Sequence, residues 1–201
     1  MGLFPFTFAS AAVRPATIDR VKALMWGLVW FIFATIFIWY FRTVPTSTVT
    51  VDVSGYVPLS TVLLLHAAVW VVSGAVVYAL AAVVGESVGL VETLSRVLFA
   101  RAPIYLLLAP LAWRGFRVPF TVLVHRPAEA VSSYPGVVLP YLAAVAAVGV
   151  WYVWWNYTAF AASAHRKGGK VVAAFVAAMI ASCWATHIVL DALAGKMVWN
   201  G

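Results

Sequence analysis

The chain has 201 residues, of which 65% are hydrophobic and only 9% charged, with a net charge of +7 and a mean hydropathy of +1.00. Soluble domains carry about 25% charged residues, so this composition excludes an ordinary soluble fold. It indicates an all-α class, a polytopic membrane helix bundle in a single domain. Strands of a membrane barrel would alternate in polarity every second residue, and no such alternation runs through the chain. The Lys and Arg residues stand at the edges of apolar blocks, where they orient helices and meet anionic headgroups. They form no basic face for a nucleic acid, and no nucleic-acid partner is expected.

Residues 1–22 are an aromatic, proline-containing lead with a basic cluster at Arg14, Arg20 and Lys22. The lead starts apolar and has no small-residue cleavage site, so it does not read as a signal peptide. The first span is expected at 23–41, with Trp26, Trp30, Trp39 and Tyr40 near its ends, as in an aromatic belt. Thr43–Tyr56 is a Pro/Thr/Ser/Gly connection with alternating Val, consistent with a short hairpin-like surface loop. The second span, 57–84, contains His66, Ser73 and Gly74.

Gly85–Pro103 interrupts the apolar pattern. On a helical wheel Leu90, Val91, Leu94, Val97 and Leu98 share one side, and Glu92, Thr93, Ser95 and Arg96 the other. Glu92 and Arg96 are at i,i+4. The pattern predicts a helix lying in the membrane interface. A third span, 97–113, is irregular because of Pro103 and Pro110, and is expected to end near Trp113. Extending it to Val124 would bury Arg114 and Arg117 at about 2.5–3.5 kcal/mol each at a helix centre. The fourth span is 137–163 and the fifth 171–190, joined by the basic turn His165–Lys170. Ala143 and Ala147 in the fourth, and Ala173, Ala177, Ala181 and Ala185 in the fifth, with Ala174, Ala178 and Ser182 beside them, form small-residue stripes. Such stripes let helices approach closely and predict a tight hairpin of the last two spans.

Orientation follows from counting cations. With the N-terminus inside, Arg14, Arg20, Lys22, Arg96, Arg101, Arg166, Lys167 and Lys170 are inner, and Arg42, Arg114, Arg117, Arg126 and Lys196 outer, eight against five. This predicts a cytoplasmic N-terminus in the plasma membrane.

Chemistry-bearing motifs are few. There is no GxSxG, HExxH or phosphate loop; Gly85-Glu86-Ser87-Val88-Gly89 lacks the preceding strand and third glycine of a dinucleotide loop. Cys183 is the single cysteine, without disulfide or zinc spacing. No catalytic residue and no metal site are assigned, and no enzymatic activity is expected. His66 and His187, on two spans, are the candidate cofactor residues: they could ligate a haem b, or each could be a polar side chain hydrogen-bonded between helices. In the second case no cofactor is bound. Arg114, Arg117, His125 and Arg126 could form an outer anionic site, or snorkel to the interface.

Three stretches, GESVGLVETLSRVLFARAPIYLLLAP (85–110), WNYTAFAASAHRKGGKVVAAFVAAMIASCWATHIVL (155–190) and the N-terminal RPATIDRVKALMWGL, resemble the Yip family of multispanning proteins. The family has an amphipathic segment before a proline that opens the third span, an aromatic-ended fourth span, and a basic turn into a small-residue fifth. The acidic-Leu-Tyr-Gly-Pro motif of eukaryotic members is absent, so the likeness is to prokaryotic-type members. It implies about five spans and a cytosolic N-terminus; the role expected of such a chain is that of a scaffold or accessory subunit beside membrane lipids and other membrane subunits. The alternatives are a cytochrome b subunit, loosely similar to the five-helix haem subunits of membrane nitrate reductases, and a small transporter.

Overall fold

The computed structural model describes residues 18–45, 51–53, 57–85 and 88–198. Eight α-helices follow in order: α1 (Arg20–Tyr40), α2 (Leu59–Val84), α3 (Leu90–Ala100), α4 (Ala102–Tyr105), α5 (Arg114–His125), α6 (Pro127–Ser133), α7 (Pro135–Ser163) and α8 (Gly169–Val198). A 3-10 segment, Leu106–Ala112, follows α4, and two three-residue strands, β1 (Thr43–Pro45) and β2 (Val51–Val53), lie between α1 and α2. The strands pair antiparallel, Thr43 with Val53 and Pro45 with Val51, so the connection after the first span is a hairpin. Five helical stretches are long and apolar enough to cross a membrane: Arg20–Tyr40, Leu59–Val84, Leu90–Ala112, Pro135–Ser163 and Gly169–Leu193. The protein is an integral membrane helix bundle.

Local chemistry sets the helix ends. Asp19 caps α1, its carboxylate accepting from the Val21 N–H at 2.9 Å, the role a short acidic side chain fills at a helix start. At the other end Arg42 turns the chain at φ 54°, and the buried Thr43 hydroxyl donates to the Ile38 carbonyl at 3.2 Å, one of the acceptors a helix terminus leaves over. Gly85 ends α2 where a Cβ would lie 2.6 Å from the Ala164 carbonyl oxygen. Only glycine permits this approach of the α2–α3 link to the α7–α8 turn.

The third span differs from expectation in place and environment. It starts at Leu90, not near residue 97, because α3 is its first half. This helix packs against α1, α2 and α7. Thr93 and Ser95, on the polar side of the helical wheel, are fully buried, while the apolar side is split: Val97 and Leu98 are buried and Leu90 and Val91 are 47% and 64% exposed. Burial of the two hydroxyls has a simple cause. Thr93 donates to the Gly89 carbonyl and Ser95 to that of Val91, at 2.9 and 2.7 Å, so burial leaves no hydroxyl unpaired, and leucine or valine facing lipid loses nothing. Close packing is made by glycines on the neighbours: Cβ atoms added at Gly27 and Gly74 would collide with Leu98 and Leu94. At Arg101 the helix breaks and restarts, since Pro103 has no N–H to continue the ladder, and the segment ends before Trp113. Arg101 is 3% exposed inside the bundle. It therefore leaves the count of inner loop cations, which becomes seven against five.

The expected hairpin of the last two spans is also corrected. α8 packs chiefly on α2 and only slightly on α7. Its inward line is Val171, Phe175, Ala178, Ser182, Thr186 and Leu190. Val171, Phe175 and Ala178 join Val77 and Ala81 of α2 in one cluster, and Leu190 joins Leu65 and Val69 in another. Ala173 and Ala177 of the expected stripe, like Ala143 and Ala147 of α7, are exposed. Small residues permit close approach without selecting a partner. α5 is the amphipathic helix that stays at the periphery, with Phe116 and Phe120 buried against Ala34, Ile38 and Val62 and its other side exposed.

Candidate functional site: a polar chain inside the bundle

Where α1, α2 and α4 meet, one histidine joins three elements. The His66 Nδ1 is 2.7 Å from the Thr35 hydroxyl, and its Nε2 2.9 Å from the Tyr105 hydroxyl. Thr35 also donates to the Phe31 carbonyl at 2.7 Å. A hydroxyl has one proton, so Thr35, spending its own on Phe31, accepts from Nδ1–H. Nε2 is then the acceptor, and Tyr105 donates to it. The result is a one-way donor chain, Tyr105 to His66 to Thr35 to a backbone carbonyl. Phe31 stacks on the imidazole at 4.3 Å between centroids and 17° between planes, and Tyr105 meets it edge-on at 5.5 Å. Thr35, His66 and Tyr105 are all buried.

Arg101 extends the cluster. Its charge reaches His66, Tyr105 and Tyr152, and its guanidinium and the Asn156 side chain converge on Tyr152. Asn156 donates to the carbonyls of Tyr152 and Ala100 at 2.9 and 3.4 Å, which ties α7 to the break between α3 and α4. No ion pair to Arg101 occurs among the described residues, and its Nη2 is buried without a hydrogen-bond partner. Ionisable groups at membrane depth are costly and mark functional sites more often than packing sites.

The two candidate haem residues occupy different settings. His66 is buried with both ring nitrogens engaged, so an iron would have to displace Tyr105 or Thr35. His187, on α8, is 63% exposed and lies 3.4 Å from Asp191. The outer basic set does not converge. Arg117 donates to the Leu111 carbonyl at 3.2 Å and sits 4.8 Å over the Phe41 ring, while Arg126 pairs with Glu129 at 3.3 Å. Arg114 and His125 lie at opposite ends of α5, about 16 Å apart at 1.5 Å per residue. Among the described residues no group of three His, Cys, Asp or Glu side chains could hold a metal ion.

Thr35, Tyr105, Arg101, Tyr152 and Asn156 were not legible as partners of His66. One signal did exist for Arg101. A span of residues 97–113 is only about 25 Å long at 1.5 Å per residue, short of the hydrocarbon thickness of about 30 Å. The missing length must come from before residue 97, and that places Arg101 inside.

Comparison with protein-family models, with curated proteins and with solved structures finds no match to this chain.

Proposed function

We propose that the protein is a non-enzymatic integral membrane protein of Yip-like architecture that serves as a scaffold or accessory subunit, docking another membrane subunit along the first half of α7. One observation carries this reading. Between Leu139 and Trp151 no residue of α7 is buried, a length of about 20 Å at 1.5 Å per residue. That stretch presents Ala143, Ala144, Ala146, Ala147 and Gly149, and a Cβ at Gly149 would touch nothing within 4 Å. A helix facing lipid gains contact from large side chains, whereas small ones let a second helix approach. The polar chain around His66 supports the same reading as a lock that holds α1, α2 and α4 in one arrangement. In this proposal the membrane is the plasma membrane and the N-terminus is cytoplasmic, with lipids and membrane subunits as the only partners.

The test uses a cysteine at position 147 in a Cys183→Ser background, in native membranes. Cross-linking to a second membrane polypeptide, and loss of the assembled species on native gels in Gly149→Leu, are expected. A monomer in mild detergent whose residue 147 reacts freely with a lipid-soluble maleimide overturns the proposal. A Soret band in the purified protein that His66→Ala removes would replace it with the cytochrome reading. For orientation, cysteines placed at 167 and 196 should differ, with only the second labelled from outside.

A second reading, a small transporter, draws on Arg101, whose unpaired Nη2 is a ready anion contact at membrane depth. Anion uptake into vesicles that Arg101→Gln abolishes and Arg101→Lys partly retains would favour it.

A further inference from the structure

We propose that the groove between α3 and the α7–α8 turn binds the phosphate headgroup of an anionic membrane lipid, with the acyl chains running down α7. The groove has a volume of about 680 Å³, within the roughly 300–1,000 Å³ typical of ligand sites. Its cations are Arg96 at the inner wall and Arg166 and Lys167 at the rim, beside His165. Its apolar wall is Trp154 and Tyr157, part of the membrane-spanning stretch of α7.

Arg96 gives the groove its specific character. Its side chain is only 12% exposed and its Nη1 is 2.6 Å from the Glu92 carboxylate. Its Nε is buried without a hydrogen-bond partner. The pair balances charge and occupies Nη1 but leaves Nε without a partner, and buried donors are almost always satisfied. A phosphate oxygen reaching the guanidinium from the groove would satisfy Nε, since guanidinium and phosphate match in geometry. No carboxylate lines the groove among the described residues.

The wall decides between a lipid and a free anion. Trp154 is 51% exposed and sits on a helix that continues into the membrane, so an occupant with both a phosphate and a hydrocarbon chain uses both halves of the groove. Inorganic phosphate would use only one. The inference is independent of the docking reading, which concerns the other half of α7.

The experiment is native mass spectrometry of the full chain, purified and equilibrated with an equimolar mixture of phosphatidylglycerol and phosphatidylcholine. The wild type should retain phosphatidylglycerol with at least a tenfold preference. The Arg166→Gln/Lys167→Gln variant changes two exposed side chains, and with the fold checked by an unchanged unfolding midpoint it should lose at least fivefold of that preference. Arg96→Gln should lose as much, and Trp154→Ala should weaken retention of long-chain more than of short-chain phosphatidylglycerol. Equal retention of both lipids by the wild type overturns the proposal, as does an unchanged preference in the double variant. If millimolar inorganic phosphate displaces the lipid fully and Trp154→Ala has no effect, the site takes a free anion and the lipid assignment fails.

Discussion

The third and fourth spans are both apolar enough to cross a membrane, and the protein uses them in opposite ways. Of the most apolar 18 residues of the third span 61% are buried by protein, against 11% for α7. The third span carries Arg96, Arg101, Thr93, Ser95 and Tyr105, and the fourth is nearly all Ala, Val and aromatic. The less hydrophobic helix is the more buried one. In water that would be a contradiction. In a membrane it is the rule, because lipid solvates apolar side chains as well as a protein core does, and only polar groups need protein around them.

The contrast can be broken by changing packing on one side of it at a time. Gly27→Leu should have the largest effect. Its Cβ would lie 2.7 Å from Leu98 Cγ, and Leu98 is fully buried and cannot swing away, so a loss of about 3 kcal/mol is expected, the upper end for overpacking. Reversible unfolding in bilayers or mixed micelles would read it, and an unchanged midpoint would mean that α1 and α3 are not packed as described. His66→Ala removes two hydrogen bonds and leaves a cavity beside Phe31. Hydrogen bonds between membrane helices average about 0.6 kcal/mol, so the cavity brings the total to about 2 kcal/mol. If the His66 cluster does not lock the inner spans, this variant will unfold with the wild type.

Tyr105→Phe should cost about 0.6–1 kcal/mol, since it leaves the Nε2 of His66 without its donor and changes little volume. It sharpens the proton assignment. In ¹⁵N spectra the His66 ring should stay in its Nδ1–H form, held by Thr35, while the Nε2 resonance moves downfield as its hydrogen bond is lost; a switch to the Nε2–H form would reverse the direction of the donor chain. Gly149→Leu should have the smallest effect on the monomer, within about 0.5 kcal/mol, as for exposed positions away from packing. Its consequence belongs to assembly. Measured by the same unfolding assay, a large loss in the isolated chain would show that α7 is packed where the structure leaves it open.

Positions of the spans were legible in the residues because crossing a membrane is decided locally. A run such as Ala23–Phe41 is apolar whatever its neighbours do, and Arg42 or the HRKGGK turn marks an end by its own cost of burial. The irregular course of the third span was legible for the same reason, since Pro103 and Pro110 act on their own backbone. His66 stood out as a polar residue within a span. What surrounds it did not, because Thr35, Tyr105, Arg101 and Asn156 come from three other spans and nothing in their spacing relates them. Glu92 and Arg96 drew attention to the amphipathic segment, but nothing in the pattern showed that Thr93 and Ser95 would be buried together with Val97 and Leu98.

The sequence by itself therefore determined that this chain enters the membrane, how often it crosses and roughly where each crossing ends, because transfer of a side chain from water to hydrocarbon depends mainly on that side chain. Only the tertiary structure decided which face of each helix turns inward, that α8 lies on α2 rather than on α7, and that Arg101 sits inside the bundle. Once a helix is in lipid, its apolar faces are nearly equivalent in energy. The choice among them falls to shape at Gly27, Gly74 and Gly85 and to the few polar groups, such as His66, that must find one another.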